Sequence, residues 1–315
     1  MNRIFETLAG SGAERGQRKK IAMMAIYVTL ALIVCMLIVL GVSLIASSSD
    51  DDEQKKGDGM TYVGLSVEDK AVHTGSLLLV NKNNEYSFAD NPELVSFSTS
   101  RVYGLKDNTL KLSPTALSAF DLMMSDLYKS VQDADIVVMT AFRSKEYQDS
   151  LSNGTPGGFS DFHTGMSFEL KDGDTYDGAY DNVDSLPKYD WLYKNAHKYG
   201  FIVRYPNDTA EKEFSAITGV DDYGYVFRYV GVAHASYIYE HDLCLEEYLE
   251  LLRTSHKHGS SLSIKAGNSQ NYEVYYCEST GDKTEIQVPT QYSYEISGDN
   301  MNGYIVTVCK SKSAN

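Results

Sequence analysis

The chain has 315 residues, which leaves room for one or two folded domains and excludes a large multidomain assembly. With 43% hydrophobic and 23% charged residues, 24 Gly and 6 Pro, its composition is globular, and four Cys are too few for a disulfide framework. Net charge is −15: residues 1–20 hold five basic side chains against Glu6 and Glu14, residues 21–49 hold no charge, and the remainder carries 23 basic and 41 acidic groups, a balance that opposes nucleic-acid binding.

Residues 1–20 read as a basic cytoplasmic tail. Ile21 to Ala46 is an uncharged run of 26 residues rich in Ile, Leu, Val, Met and Ala. As a helix at about 1.5 Å per residue it covers about 39 Å, enough to cross a hydrocarbon core of about 30 Å with some tilt. A cleavable signal has an apolar stretch of only about 7–15 residues, so the run is expected to be an uncleaved transmembrane helix. The basic residues before it and Asp50, Asp51, Asp52 and Glu53 after it orient the N-terminus to the cytoplasm and the main domain to the outside. Residues 47–60, small and charged without periodicity, are expected to form a flexible linker.

The folded part is expected to start near Tyr62. Leu77-Leu78-Leu79-Val80 followed by Asn-Lys-Asn-Asn suggests a strand ending in a turn. Ser113-Pro114 has the form of an N-cap with Pro at the first helical position. Ala116, Leu117, Phe120, Met123, Met124, Leu127 and Val131 then fall on one helical face. Ile136 to Phe142 reads as a buried strand, a β-rich middle follows, and Trp191 to Tyr199 and Leu245 to Leu252 read as helices. Beyond residue 257 short alternating runs separated by turn residues predict a small antiparallel β unit over 258–315. Cys277 and Cys309 lie in two of those runs and are either paired or two half-buried thiols.

Three segments together resemble the zinc D-alanyl-D-alanine carboxypeptidases of the vancomycin-resistance (VanY-like) type. Thr140-Ala-Phe-Arg-Ser-Lys-Glu-Tyr-Gln148 is similar to the family's S-x-Y-R-S-x-x-x-Q. Trp191 to Pro206 is similar to W-L-x-x-N-A-x-x-Y-G-F-I-x-R-Y-P, and Ile217-Thr-Gly219 with Arg228-Tyr-Val-Gly231 and His234-Ala235 resembles the frame of the second metal-binding segment. The resemblance implies an α+β carboxypeptidase core of the zinc D,D-peptidase or Hedgehog type over residues 61–257. That core would be preceded by one transmembrane helix at 21–46 and followed by the β unit.

The same resemblance places the family's zinc motif, S-x-H-x-x-G-x-A-x-D, on Ser160 to Glu169. Phe162 then stands at the first His ligand and Glu169 at the Asp ligand. The second segment, E-P-W-H, falls on Tyr223 to Val226, with Tyr223 at the general base and Val226 at the third ligand. A catalytic zinc needs three protein donors with one position open for water, and Phe and Val have no lone pair, so loss of zinc is expected. His163 is adjacent to Phe162 and would face inward only with a bulge; otherwise it is a polar surface or turn residue, and His234 is a distant candidate. The resemblance places Arg143 against a substrate carboxylate, where a salt bridge is the alternative. Ser160 hydrogen-bonds a peptide or caps a turn.

These readings imply a membrane-anchored, extracytoplasmic carboxypeptidase-like protein without zinc. It would bind a peptidoglycan stem peptide or a wall-associated protein in the old substrate groove. The alternative is an active metal-dependent D,D-carboxypeptidase with a displaced metal site.

Overall fold

The computed structural model describes residues 54–55 and 60–310, apart from 89–91, 99, 133–134, 152–153, 174–185 and 221–222. The expected transmembrane helix at 21–46 and the basic tail lie outside the described residues. Among the described residues no helix is long and apolar enough to cross a membrane.

In chain order, β1 (Gln54–Lys55) pairs with β2 (Thr61–Glu68), and the short strands β3 (Val95–Ser96), β4 (Gly104–Leu105) and β5 (Lys111–Leu112) precede α1 (Pro114–Val131). Helix α1 begins where Ser113 and Pro114 predict it. The Ser113 hydroxyl accepts the Ala116 N–H at 3.3 Å, and Gln132 in the left-handed region (φ 56°) closes the helix. Its buried face, Ala116, Phe120, Met123, Met124 and Leu127, packs on the central sheet, with Phe120 edge-on to Phe168 at 4.8 Å between centroids. Truncating a ring so placed costs about 3–5 kcal/mol.

The central sheet has the order β4, β6 (Ile136–Thr140), β7 (Ser167–Asp172), β9 (Val226–Tyr229), β8 (Phe201–Val203). Its register positions the site. β7 and β9 are antiparallel with Ser167 opposite Arg228 and Glu169 opposite Val226, and a bulge in β6 sets Thr140 opposite Glu169. Because side chains alternate along a strand, Phe168, Leu170 and Phe227 enter the core under α1, while Ser167, Glu169, Val226 and Arg228 share the other face.

The middle of the chain is less β-rich than its sequence suggests. Between β6 and the helix α3 (Pro187–Asn195), β7 is the one strand among the described residues. The Ser144 hydroxyl accepts the Tyr147 N–H and starts α2 (Lys145–Ser150) instead. A 3-10 turn, Asp161–Thr164, follows; Gly165 ends it at φ +67°, and a Cβ there would come within 2.6 Å of Leu94 Cδ2. The expected helix over Trp191 to Tyr199 is the end of α3 continued by a 3-10 turn, Ala196–Tyr199. Of three further helices, α4 (Phe214–Thr218) lies between β8 and β9 in the sequence, and α5 (Val232–Glu240) and α6 (Leu245–Ser255) follow β9.

Leu77 to Val80, expected as a strand, is buried but forms none. Side chains take the place of a neighbouring strand. Arg228 donates to the carbonyls of Ser76 and Leu78 at 3.0 and 3.1 Å, Asn300 donates to the Leu79 carbonyl at 2.9 Å, and the Leu77 N–H donates to the Ser297 hydroxyl at 2.9 Å.

The C-terminal strands are β10 (Leu262–Lys265), β11 (Asn271–Glu278), β12 (Lys283–Pro289), β13 (Ser293–Gly298) and β14 (Gly303–Cys309). Four form an antiparallel sheet, β10-β11-β14-β13, while β12 pairs along its length with β2. Helix α6 buries Leu245, Leu249 and Leu252 against Val274, Tyr276 and Ile305 of the four-stranded sheet. Cys309 stands opposite Tyr272 and Cys277 opposite Tyr304, so the register separates the two thiols and no disulfide joins them.

Candidate functional site

Buried charges build the frame of the site. Asp161 opens the 3-10 turn with no exposed surface; its Oδ1 accepts from Arg204 Nε at 3.0 Å and Arg228 Nη1 at 2.7 Å, and its Oδ2 accepts the Ser167 hydroxyl. Arg204 also forks onto Glu246, Nη1 to Oε2 at 3.0 Å and Nη2 to Oε1 at 2.8 Å. Burial pushes the Asp161 carboxyl up, but Arg228 and Arg204, with the Ser167 hydroxyl, outweigh it and hold the group below the usual carboxylate range. Arg204 is held well above its ordinary value by Glu246 and Asp161, against burial. This network ties the turn to β7, to β9 and to the residue following β8.

Beside that frame the positions aligned with the metal motif form an apolar cluster. Phe162, Tyr205 and Val226 pack together with Val220 and Tyr223 around them. The Tyr223 hydroxyl donates to Glu169 Oε2 at 2.8 Å, and Glu169 is 5% exposed. The Arg143 guanidinium lies 4.1 Å from the centroid of the Phe162 ring. Its Nε donates to the Thr140 hydroxyl at 3.2 Å and its Nη1 to Gln148 Oε1 at 3.1 Å, which leaves other N–H groups for an anion. Among the described residues no carboxylate forms an ion pair with Arg143.

A cleft of about 540 Å³ opens over these groups, with Arg143, Ser160, Phe162, Tyr205, Tyr223 and Lys82 in its walls. The structure thus brings Arg143, Ser160, Phe162 and Tyr223 onto one cavity. Val226 reaches it through Phe162 and Tyr205, and Glu169 through Tyr223. Ser160 stands at the N-cap of the 3-10 turn without a side-chain capping bond. A second, more apolar cavity of about 450 Å³ runs along β8 between His197, Ile238 and Leu243; Arg143, Ser160, Phe162, Glu169, Tyr223 and Val226 are not among its lining residues.

His163 is neither a surface residue nor turned into the cleft as a donor. It is fully buried; the Gly158 N–H donates to its Nε2 at 3.0 Å, which assigns the proton to Nδ1, and Nδ1 donates to the Arg143 carbonyl at 2.7 Å. Burial first, then the Arg143 charge, favours the neutral ring over the opposing Arg143 hydrogen bond and nearby carboxylates, and its pKa is lowered. Both nitrogens are engaged. His234 is likewise occupied, with Nδ1 2.7 Å from the Tyr248 hydroxyl and Nε2 2.8 Å from the Thr307 hydroxyl.

The organising role of Asp161 was not read from the sequence. The available signal was a pair of arginines, Arg204 and Arg228, in apolar strand contexts that need a buried counter-charge.

The family profile of VanY, D-alanyl-D-alanine carboxypeptidase, matches residues 109–232. A D-alanyl-D-alanine carboxypeptidase of Enterococcus faecium is 30% identical over 259 residues, 77% of this chain and 78% of that protein. The chain belongs to the D-alanyl-D-alanine carboxypeptidase family. Among solved structures, the vancomycin-resistance D,D-dipeptidase VanXYg in complex with a D-Ala-D-Ala phosphinate analog is similar in fold. Its TM-score is 0.66 at 23% identity, over 79% of this chain and 99% of that one. A D,D-pentapeptidase VanY in complex with Zn(II) matches at a TM-score of 0.41 and 26% identity, over 55% of this chain and 98% of that one.

Zinc does not fit the residues that this D-alanyl-D-alanine carboxypeptidase relative presents. Phe162 and Val226 offer no lone pair, Glu169 already receives the Tyr223 hydroxyl, and the rings of His163 and His234 each have both nitrogens engaged. Among the described residues no three His, Cys, Asp or Glu side chains gather in a metal-binding group.

Proposed function

We propose that this member of the family is a membrane-anchored, outward-facing protein that binds peptidoglycan stem peptide, or a wall-associated protein, without hydrolysing it. The observation that carries the reading is the apolar packing of Phe162 and Val226 where the aligned motif has metal ligands, with Tyr223 bonded to Glu169 where it has a base. An apolar pair can bury surface that a cluster of vacant ligands would leave costly to desolvate. The binding parts are retained: Arg143 offers a planar N–H fork for a terminal carboxylate, and Phe162, Tyr205 and Tyr223 form a floor for the peptide's methyl groups. Support for the membrane anchor comes from the 26-residue apolar run at 21–46 and the charge asymmetry across it.

The test uses the full chain in detergent. Calorimetry with a pentapeptide ending in D-Ala-D-Ala is expected to show binding that Arg143→Gln weakens. Metal analysis is expected to find no stoichiometric zinc, and the assay no D-alanine release. Chelator-sensitive release of D-alanine would instead establish an active metal-dependent D,D-carboxypeptidase.

A further inference from the structure

We propose that Lys82 is a second carboxylate-binding group of the cleft, so that the cleft selects stem peptides bearing a free carboxylate besides the C-terminal one. The inference rests on the stem-peptide reading above and adds a selectivity that Arg143 alone cannot supply.

Lys82 and Arg143 are the two cations lining the cleft, and its described lining residues include no Asp or Glu, although the chain as a whole carries −15. Among the described residues Lys82 makes no ion pair or hydrogen bond. A cavity whose described lining holds two cations and no carboxylate favours an anionic occupant and opposes a cationic one.

The position of Lys82 is built. It sits on a turn closed by Asn81 and Asn84, whose backbone groups exchange hydrogen bonds at 3.2 and 3.1 Å. Asn81 Oδ1 accepts the Asn83 N–H at 3.0 Å and Asn84 Nδ2 at 2.9 Å, and Asn81 Nδ2 donates to Glu246 Oε1 at 3.2 Å. That carboxylate is the one held by Arg204, so the turn is fastened to the buried charge network that also fixes Asp161. The far end of Lys82 lies over Gly219, where a Cβ would come within 3.0 Å of both Cε and Nζ. Gly219, at φ +75°, is therefore what lets the ammonium rest along this wall. Arg143 takes the terminal carboxylate, Phe162 and Tyr223 cover the apolar stretch of the ligand, and Lys82 meets the second carboxylate.

The experiment measures binding of acetylated tetrapeptides ending in D-Ala-D-Ala to the full chain in detergent. The probes carry Glu or Gln at either of the two preceding positions. Because an exposed ion pair is worth little, one of the Glu probes is expected to bind about three- to fivefold more tightly than its Gln partner at low salt, a preference that fades at high salt. Lys82→Gln should bring that ratio to about one, Lys82→Arg should keep it, and Arg143→Gln should weaken both members of the pair. Equal binding of Glu and Gln probes by the unaltered chain would overturn the inference while leaving the stem-peptide reading intact. So would a preference that survives Lys82→Gln. If Lys82 served only to offset acidic neighbours or the end of α4, Lys82→Gln would lower thermal stability and leave the ratio unchanged, which also overturns it. Failure of every probe to bind would remove the stem-peptide reading, and this inference with it.

Discussion

The Tyr223 hydroxyl donates to Glu169 at 2.8 Å, so the residue aligned with the family's base acts here as a hydrogen-bond donor to the residue aligned with its acidic ligand. A carboxylate that is 5% exposed depends on such donors. Tyr223→Phe removes one and is expected to destabilise the protein by about 1–3 kcal/mol, as for a charged buried hydrogen bond. Urea unfolding of the two proteins checks this; equal midpoints would mean that the hydroxyl contributes nothing to holding Glu169.

Glu169 and Val226 face each other across β7 and β9, and Val226 packs against Phe162. The combined change Phe162→His, Glu169→Asp, Tyr223→Glu and Val226→His is therefore expected to produce zinc uptake near one equivalent, read by metal analysis after dialysis. A folded fourfold variant that binds no zinc would show that the aligned register through Phe162 and Val226 is wrong.

Asp161 is expected to be the least replaceable residue of the site. Its loss leaves Arg228 without its carboxylate and Arg204 with Glu246 alone, and neither arginine has exposed surface. Breaking a buried pair in this way costs about 3–5 kcal/mol, so Asp161→Ala should lower the thermal midpoint steeply or prevent folding. Circular dichroism melting measures it. A midpoint within a few degrees of the parent's would show that the arginines find other partners.

Burial pushes His234 down to about 3, and burial with the Lys198 charge pushes His197 down to about 4. In the unfolded chain both rings titrate near about 6.5, so below that pH the unfolded state binds more protons than the folded one. Their contribution is complete above about 6.5 and is lost as pH falls toward 4 and then 3. His234→Gln should make the decline of thermal midpoint between pH 6.5 and 4 shallower, as seen in parallel melts. An unchanged slope would mean that His234 is not neutral in the folded state.

What could be read in the sequence was what depends on neighbours along the chain. Ser113 and Pro114 start α1 because cap and first turn lie within four residues, and the alternation after residue 257 gave strands for the same reason. Leu77 to Val80 looked like a strand because its composition is that of one. Its partners, Arg204, Arg228 and Asn300, lie 124 to 221 residues away and satisfy its backbone without a sheet. His163 looked like a turn histidine because nothing nearby in sequence says that Gly158 and the Arg143 carbonyl enclose it. At the site, motif spacing located the aligned residues, whereas Asp161 and Lys82 owe their places to contacts that close only in three dimensions.

The pairing of β2 with β12 joins residues 61–68 to 283–289, with the Thr290 N–H extending it to the Thr61 carbonyl at 2.9 Å. A chain made from its amino end therefore delivers β2 long before its partner strand exists. Closing so large a loop is slow, and an unpaired strand edge is open to wrong partners while it waits. β2, near the start of the folded body, becomes native only once β12 has arrived, and until that pairing closes the body stays open to interception by chaperones or proteases.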